Sequence, residues 1–183
     1  PDHCADLNPL LRARALVERP APPLPVYALP GSLDAVLALD RPGMLTDAYE
    51  LREFTGGASF TVGPFKIDTR SLPHFVPNSG FRLTTDDGVL TYTGDTGPSP
   101  LVAELAEGAD LLLAEATFPH EVPEADAPYL SSAVVAGRQA GEAGVGHLAL
   151  THLWPGTDPE EARRAAAFDG PVSVASTGDV FRI

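Results

Sequence analysis

The spacing of apolar positions changes twice along the chain. Leu7, Leu10, Leu11 and Ala15 recur at helical intervals and predict a helix over 7–17, whereas 26–29 is a short apolar run fenced by prolines and reads as a strand. Ser32 stands where an N-cap belongs, which predicts a short helix running to Leu39 with Asp34 in its first turn. From Tyr49 to Gly94 the texture is that of strands: 49–54, 59–62, 65–72, 80–85 and 89–93, with Gly56-Gly57 and Asp87-Gly88 as turns. These predict an antiparallel meander. Beyond Gly94 helix and strand alternate: helices over 99–107, 131–143 and 159–168, strands over 110–115, 147–151 and 172–175, and a closing strand over 181–183. Hairpins followed by helix–strand alternation predict a layered α+β architecture.

With 183 residues, the chain is long enough for one well-filled core and short of two ordinary domains, so 1–183 is read as a single domain. The apolar runs 111–114 and 148–150 are far shorter than the roughly 20 residues that span a bilayer. Charge narrows the partners. Twenty-five acids against 12 bases give a net charge of -13, and Lys66 is the sole lysine. A protein that grips a nucleic-acid backbone draws affinity from counterion release to Lys and Arg, so nucleic acid is not the expected partner. The lone Cys4 excludes an internal disulfide framework and fits a reducing compartment, the cytoplasm.

The residues with chemistry to offer cluster at predicted strand ends. Asp2-His3 opens the chain, His74 follows Leu72-Pro73, and His152 follows Leu150-Thr151. Asp95 sits in Thr93-Gly94-Asp95-Thr96-Gly97, directly after a strand, where flanking glycines allow a sharp turn. Imidazoles and carboxylates together form a borderline ligand set suited to zinc, manganese or iron. Singly, each has a plainer reading: a strand-end histidine bonded to backbone for His74 and His152, and an Asx-turn for Asp95. Glu115 closes an apolar strand and could cap it or orient a ligand histidine. Trp154 and Pro155, just past His152, either wall a substrate pocket or belong to the core.

Taken in order, Asp2-His3, Pro73-His74 with Gly80-Phe81-Arg82, Thr93-Gly94-Asp95-Thr96, Glu115-Ala116-Thr117-Phe118 and Leu150-Thr151-His152 resemble the metallo-β-lactamase fold, and within it the ribonuclease Z-like branch. The resemblance spans nearly the whole chain. It implies an αββα four-layer sandwich with two divalent metal ions, zinc or alternatively manganese or iron, in a cleft at one sheet edge. Carried over residue by residue, Asp2, His3 and His152 hold one metal, His74 belongs to the other, and Asp95 bridges; Asp2 counts among the catalytic residues as well. Two such ions share a bridging water, lower its pKa and supply a hydroxide nucleophile. Members of the branch also pair as homodimers.

Two departures qualify the resemblance. The chain opens on Pro1 without methionine or a leading strand, so the first strands of the fold and the His-x-His half of its first motif are expected to lie upstream. Tyr129 stands where the branch places a histidine that protonates the leaving oxygen; His120 is the other candidate for that acid. True tRNA 3′-end processing needs a long basic arm, but a strand, a turn and a strand fill 75–94. The reading is therefore a dinuclear hydrolase of a small phosphate ester or cyclic nucleotide, a phosphodiesterase. Its rivals are a tRNA-processing endonuclease and a non-catalytic, metal-depleted relative.

Overall fold

The computed structural model describes residues 3–183, which gather into two compact units, one ending at Thr55 and the other Gly56–Ile183. In the first, helix α1 (Leu7–Ala15) precedes strand β1 (Leu24–Ala28), a one-turn helix α2 (Asp34–Leu37) and strand β2 (Tyr49–Glu53). Leu11, Leu45 and Ala48 are buried together, with Leu7, Leu24, Leu37 and Tyr49 packed against them. Of the positions whose period predicted this helix, Leu7, Leu11 and Ala15 face that small core, whereas Leu10 is exposed and the helix stops at Ala15 rather than running to 17.

Up to and just past this unit's end the chain departs from expectation three times. β2 does not open the meander: it pairs in parallel with β1, Leu24 opposite Tyr49 through Ala28 opposite Glu53. The Gly56-Gly57 pair that looked like a β2–β3 turn serves another pairing, because Gly57 N–H donates to Thr69 O and Thr69 N–H to Ala58 O. A Cβ on Gly56 would lie 1.8 Å from Ser71 Oγ, so close backbone approach explains that glycine. Ser32 is not an N-cap: its hydroxyl donates to Leu29 O at 2.7 Å, and α2 starts at Asp34 without a side-chain cap.

The second unit is one seven-stranded sheet in sequence order. β3 (Ser59–Val62), β4 (Phe65–Leu72), β5 (Asn78–Thr84) and β6 (Val89–Tyr92) form the antiparallel part. β7 (Leu111–Glu115), β8 (His147–Thr151) and β9 (Val172–Val174) add in parallel, joined through α3 (Pro100–Ala106), α4 (Ala133–Ala143) and α5 (Pro159–Ala165). All three helices start as their sequences dictate, with Ser99, Ser132 and Asp158 capping the first turns. Leu112, Leu148 and Leu150 pack fully buried against an alanine face of α4, Ala133, Ala136 and Ala140. Gly137 on that helix lets the end of α5 come near, since a Cβ there would lie 1.6 Å from Ala166 O. The stretch 181–183 is not a strand; Phe181 packs its ring edge-on to His147, centroids 5.6 Å apart, which explains its apolar character without a ladder. Among the described residues no helix is long and apolar enough to cross a membrane.

Strand direction positions the site. β4 is antiparallel to β5 and β5 to β6, so β4 runs the same way as β6, β7 and β8. The segments that follow these four strands therefore emerge at one edge of the sheet. They carry His74, Asp95, Glu115 to Thr117, and His152, and the carboxyl ends of parallel strands are where such sheets place their sites.

Candidate metal centre

Glu115 is the hub of that edge. It ends β7 only 1% exposed, and its oxygens accept from three directions. Oε2 takes the backbone N–H of Thr96, which fixes the turn carrying Asp95. Oε1 takes the hydroxyl of Thr117 at 2.6 Å and the N–H of Ser131 at 3.0 Å. The Ser131 bond, with the bridge between Phe118 and Ser132, closes the base of the loop 119–130 that bears His120 and Tyr129. A buried carboxylate needs its acceptor capacity filled, and here that requirement ties three segments together.

The network also orients both strand-end histidines. Thr117 has one hydroxyl proton and gives it to Glu115, so towards His152 Nδ1, 2.9 Å away, its oxygen can only accept. Nδ1 of His152 thus carries a proton, and Nε2 is the ring atom turned to Asp95. His74 follows the same rule by another route: Nδ1 lies 2.9 Å from the Tyr129 carbonyl, which can only accept. In both imidazoles Nδ1–H is anchored, so that the neutral ring would present Nε2 to a ligand, the arrangement found in metal-binding histidines.

Asp95 completes the set. Gly94 takes φ +62°, and the turn beyond is pinned to the His74 segment, because Thr96 Oγ1 and Gly97 N both donate to Pro73 O at 3.1 and 2.8 Å. Asp95 is 8% exposed, and its Oδ2 stands 3.4 Å from His152 Nε2. The carboxylate oxygen and the ring nitrogen face each other as an ion pair when the imidazole is protonated and as two candidate ligand atoms for a cation when it is not. His152 itself holds φ +60°, in the left-handed region that a non-glycine residue adopts at a cost. Asp95, Glu115 and His152 offer ligand atoms within 4.8 Å of one another. The bonds already made by Glu115 favour Asp95 and His152 as ligands and Glu115 as their support. The field is negative: burial first, then the charges of Asp95 and Glu115, push the Tyr92 phenol above its usual range.

Of the residues singled out from sequence, Asp95 and His152 come together and His74 reaches the same edge. Asp2 lies outside the described residues, and His3 belongs to the first unit, in the turn leading into α1. Tyr129 touches His74 through its carbonyl, while its ring lies against Phe75 with centroids 4.6 Å apart. His120 Nε2 is 3.4 Å from Glu161 Oε1 on α5, and both side chains are exposed. Trp154 is not core: it is 58% exposed. Thr117 is the residue that sequence reasoning passed over. Its signal was its position two residues after Glu115, on the same side of an extended segment.

The sequence matches the family model described as Beta-lactamase superfamily domain over residues 1–154, which includes all of these positions. The chain belongs to the beta-lactamase superfamily. Among its relatives, the Mycobacterium leprae protein ML1173 is 33% identical over all of this chain and 67% of its own length. Ribonuclease Z of Mycobacterium bovis is 28% identical over all of this chain and 75% of its own. The probable metallo-hydrolase YhfI of Bacillus subtilis is 28% identical over 98% of this chain and 74% of its own. The crystal structure of YhfI, a metallo-beta-lactamase fold protein, superposes with TM-score 0.86 at 29% identity, covering 99% of this chain and 73% of that one. The expected α+β metallo-β-lactamase fold with ribonuclease Z-like relatives is therefore present, and the superfamily to which the chain belongs is one of metallo-hydrolases.

Proposed function

We propose that this superfamily member is a metal-dependent phosphodiesterase acting on a small phosphate ester. The observation that carries the reading is the pair of Nδ1–H histidines, His74 and His152, delivered with the buried carboxylate of Asp95 to one sheet edge. Asp95 and His152 fit divalent metal, zinc foremost; His74, at the same edge but outside their cluster, is the candidate ligand to a second ion, and Asp2 and His3 are the further ligands that the sequence motif suggests. Bound there, the metal supplies Lewis acidity and a nucleophilic oxygen at neutral pH. The chain's own residues do the rest. Glu115 and Thr117 hold His152 in register, Tyr129 O holds His74, and the Asp95 turn is locked to Pro73. Tyr129 and His120 are the two groups that could hand a proton to the leaving oxygen; the backbone of Tyr129 reaches His74, whereas His120 is turned to Glu161, so Tyr129 is the first choice.

The choice of a phosphodiester is supported by the match to ribonuclease Z, since a ribonuclease by name cuts phosphodiester bonds. The choice of a small one is supported by the net charge of -13. The test is hydrolysis of 3′,5′-cyclic AMP beside a phosphate monoester, a lactam and a thioester, by the zinc- or manganese-loaded protein and its Asp95→Ala variant. Turnover of the phosphodiester alone, lost in the variant, is expected; preference for another bond would overturn the reading. That same match favours tRNA processing as the second reading. It is tested by titrating tRNA against salt, where absence of binding at low salt removes it.

A further inference from the structure

Two aromatic pairs flank the candidate centre, and they differ in geometry. Beside His74, Phe75 and Tyr129 are tilted 35° to one another. Beyond His152, Phe118 and Trp154 are stacked, 12° from coplanar with centroids 5.9 Å apart. Phe118 is half-buried and Trp154 is 58% exposed, so the indole has one side backed by a ring while much of its surface meets solvent.

Its position is fixed by the residues that fix the centre. Trp154 lies two residues after His152, which places their Cα atoms within about 7 Å. The Trp154 N–H donates to Thr117 O at 2.9 Å, and Thr117 is the residue whose hydroxyl sets the His152 tautomer. Phe118 is the next residue, held by Ala133 N–H donating to its carbonyl at 2.8 Å. The platform and the ligand histidine are thus built on one short stretch of backbone.

We propose that Trp154, backed by Phe118, is a specificity-determining residue that stacks a planar heteroaromatic base, so that the phosphodiesters preferred at this site are nucleotides; this rests on the phosphodiesterase reading above. Charge supports it. At -13 the protein chain offers a phosphate little long-range attraction, so an uncharged contact such as stacking of a base on an aromatic ring would add to whatever affinity a bound metal supplies. An exposed indole two residues beyond His152 can hold a base without demanding particular hydrogen bonds.

Trp154 is the sole tryptophan, so intrinsic fluorescence reports on this position alone. Adenosine 5′-monophosphate is expected to quench it saturably, and ribose 5-phosphate to leave it unchanged. In turnover, Trp154→Ala is expected to raise KM for 3′,5′-cyclic AMP roughly ten- to a hundredfold, the range that base–aromatic stacking gives, with kcat far less affected. Trp154→Phe should restore most of the loss. The abasic comparator, 1-O-methylribose 3′,5′-cyclic phosphate, should be cleaved poorly by the parent protein and equally poorly by Trp154→Ala. Equal cleavage of the nucleotide and the abasic ester, with no quenching, would overturn the proposal and leave the phosphodiesterase reading standing. Saturable quenching without cleavage of either ester would overturn that reading and leave the base platform in place.

Discussion

Leu112 and Glu115 stand three residues apart on β7, both sealed from water at 0% and 1% exposure, and they serve opposite ends. Around Leu112 the sheet is hydrocarbon: Leu148 and Leu150 beside it and the alanine face of α4 above it. Around Glu115 the same sheet is polar, with Thr96, Thr117 and Ser131 donating to its two oxygens. The apolar region can exchange one aliphatic residue for another of similar volume, because dispersion and burial are not directional. The polar edge cannot, because each acceptor is matched to a named donor and a lost partner leaves a buried group unsatisfied. A single strand thus builds a tolerant foundation and an intolerant site.

That contrast can be broken from either side. The largest effect is expected from Asp95→Ala, which removes a ligand from the edge and leaves the core intact: activity should fall by roughly a thousandfold or more and metal content should drop, with the melting temperature little changed. Full activity in this variant would sink the metal-centre account. Leu112→Ala should do the reverse, costing about 2–5 kcal/mol of stability by chemical denaturation, while the fraction that stays folded keeps its turnover. Thr117→Val keeps the shape and deletes the hydroxyl between Glu115 and His152; metal affinity should weaken roughly ten- to a hundredfold by competition titration. A loss below twofold would show that the hydroxyl does not set the His152 tautomer. The smallest effect is expected at His120, whose ring is turned to Glu161: His120→Ala should change kcat by no more than about threefold. A loss of hundreds-fold with metal retained would move the acid role from Tyr129 to His120.

The two regions were also unequally legible. β7, β8 and α4 were readable because short apolar runs alternating with helical stretches leave few alternatives. His74, Asp95 and His152 could be named from motif order. That they share an edge depended on β4 and β6 running the same way, a product of two successive antiparallel pairings. β2 was misplaced because its strand pattern says nothing about its partner: parallel pairing with β1 is a long-range choice, and the Gly56-Gly57 pair nearby imitated a hairpin. Thr117 carries no signal of its own. Its importance comes from one hydroxyl proton shared out between Glu115 and His152, which only the three-dimensional arrangement reveals.

The central claim is that His74 and His152 present Nε2 to a metal while their Nδ1 protons are anchored. Nitrogen-15 spectra of the histidine side chains, recorded on the metal-free protein and again after adding zinc, test it most directly. Both rings should show the Nδ1–H tautomer before zinc, and zinc should displace the Nε2 resonances of these two histidines while leaving those of His120 and His147 in place. An Nε2–H tautomer at either position, or Nε2 resonances that zinc does not move, would contradict the account.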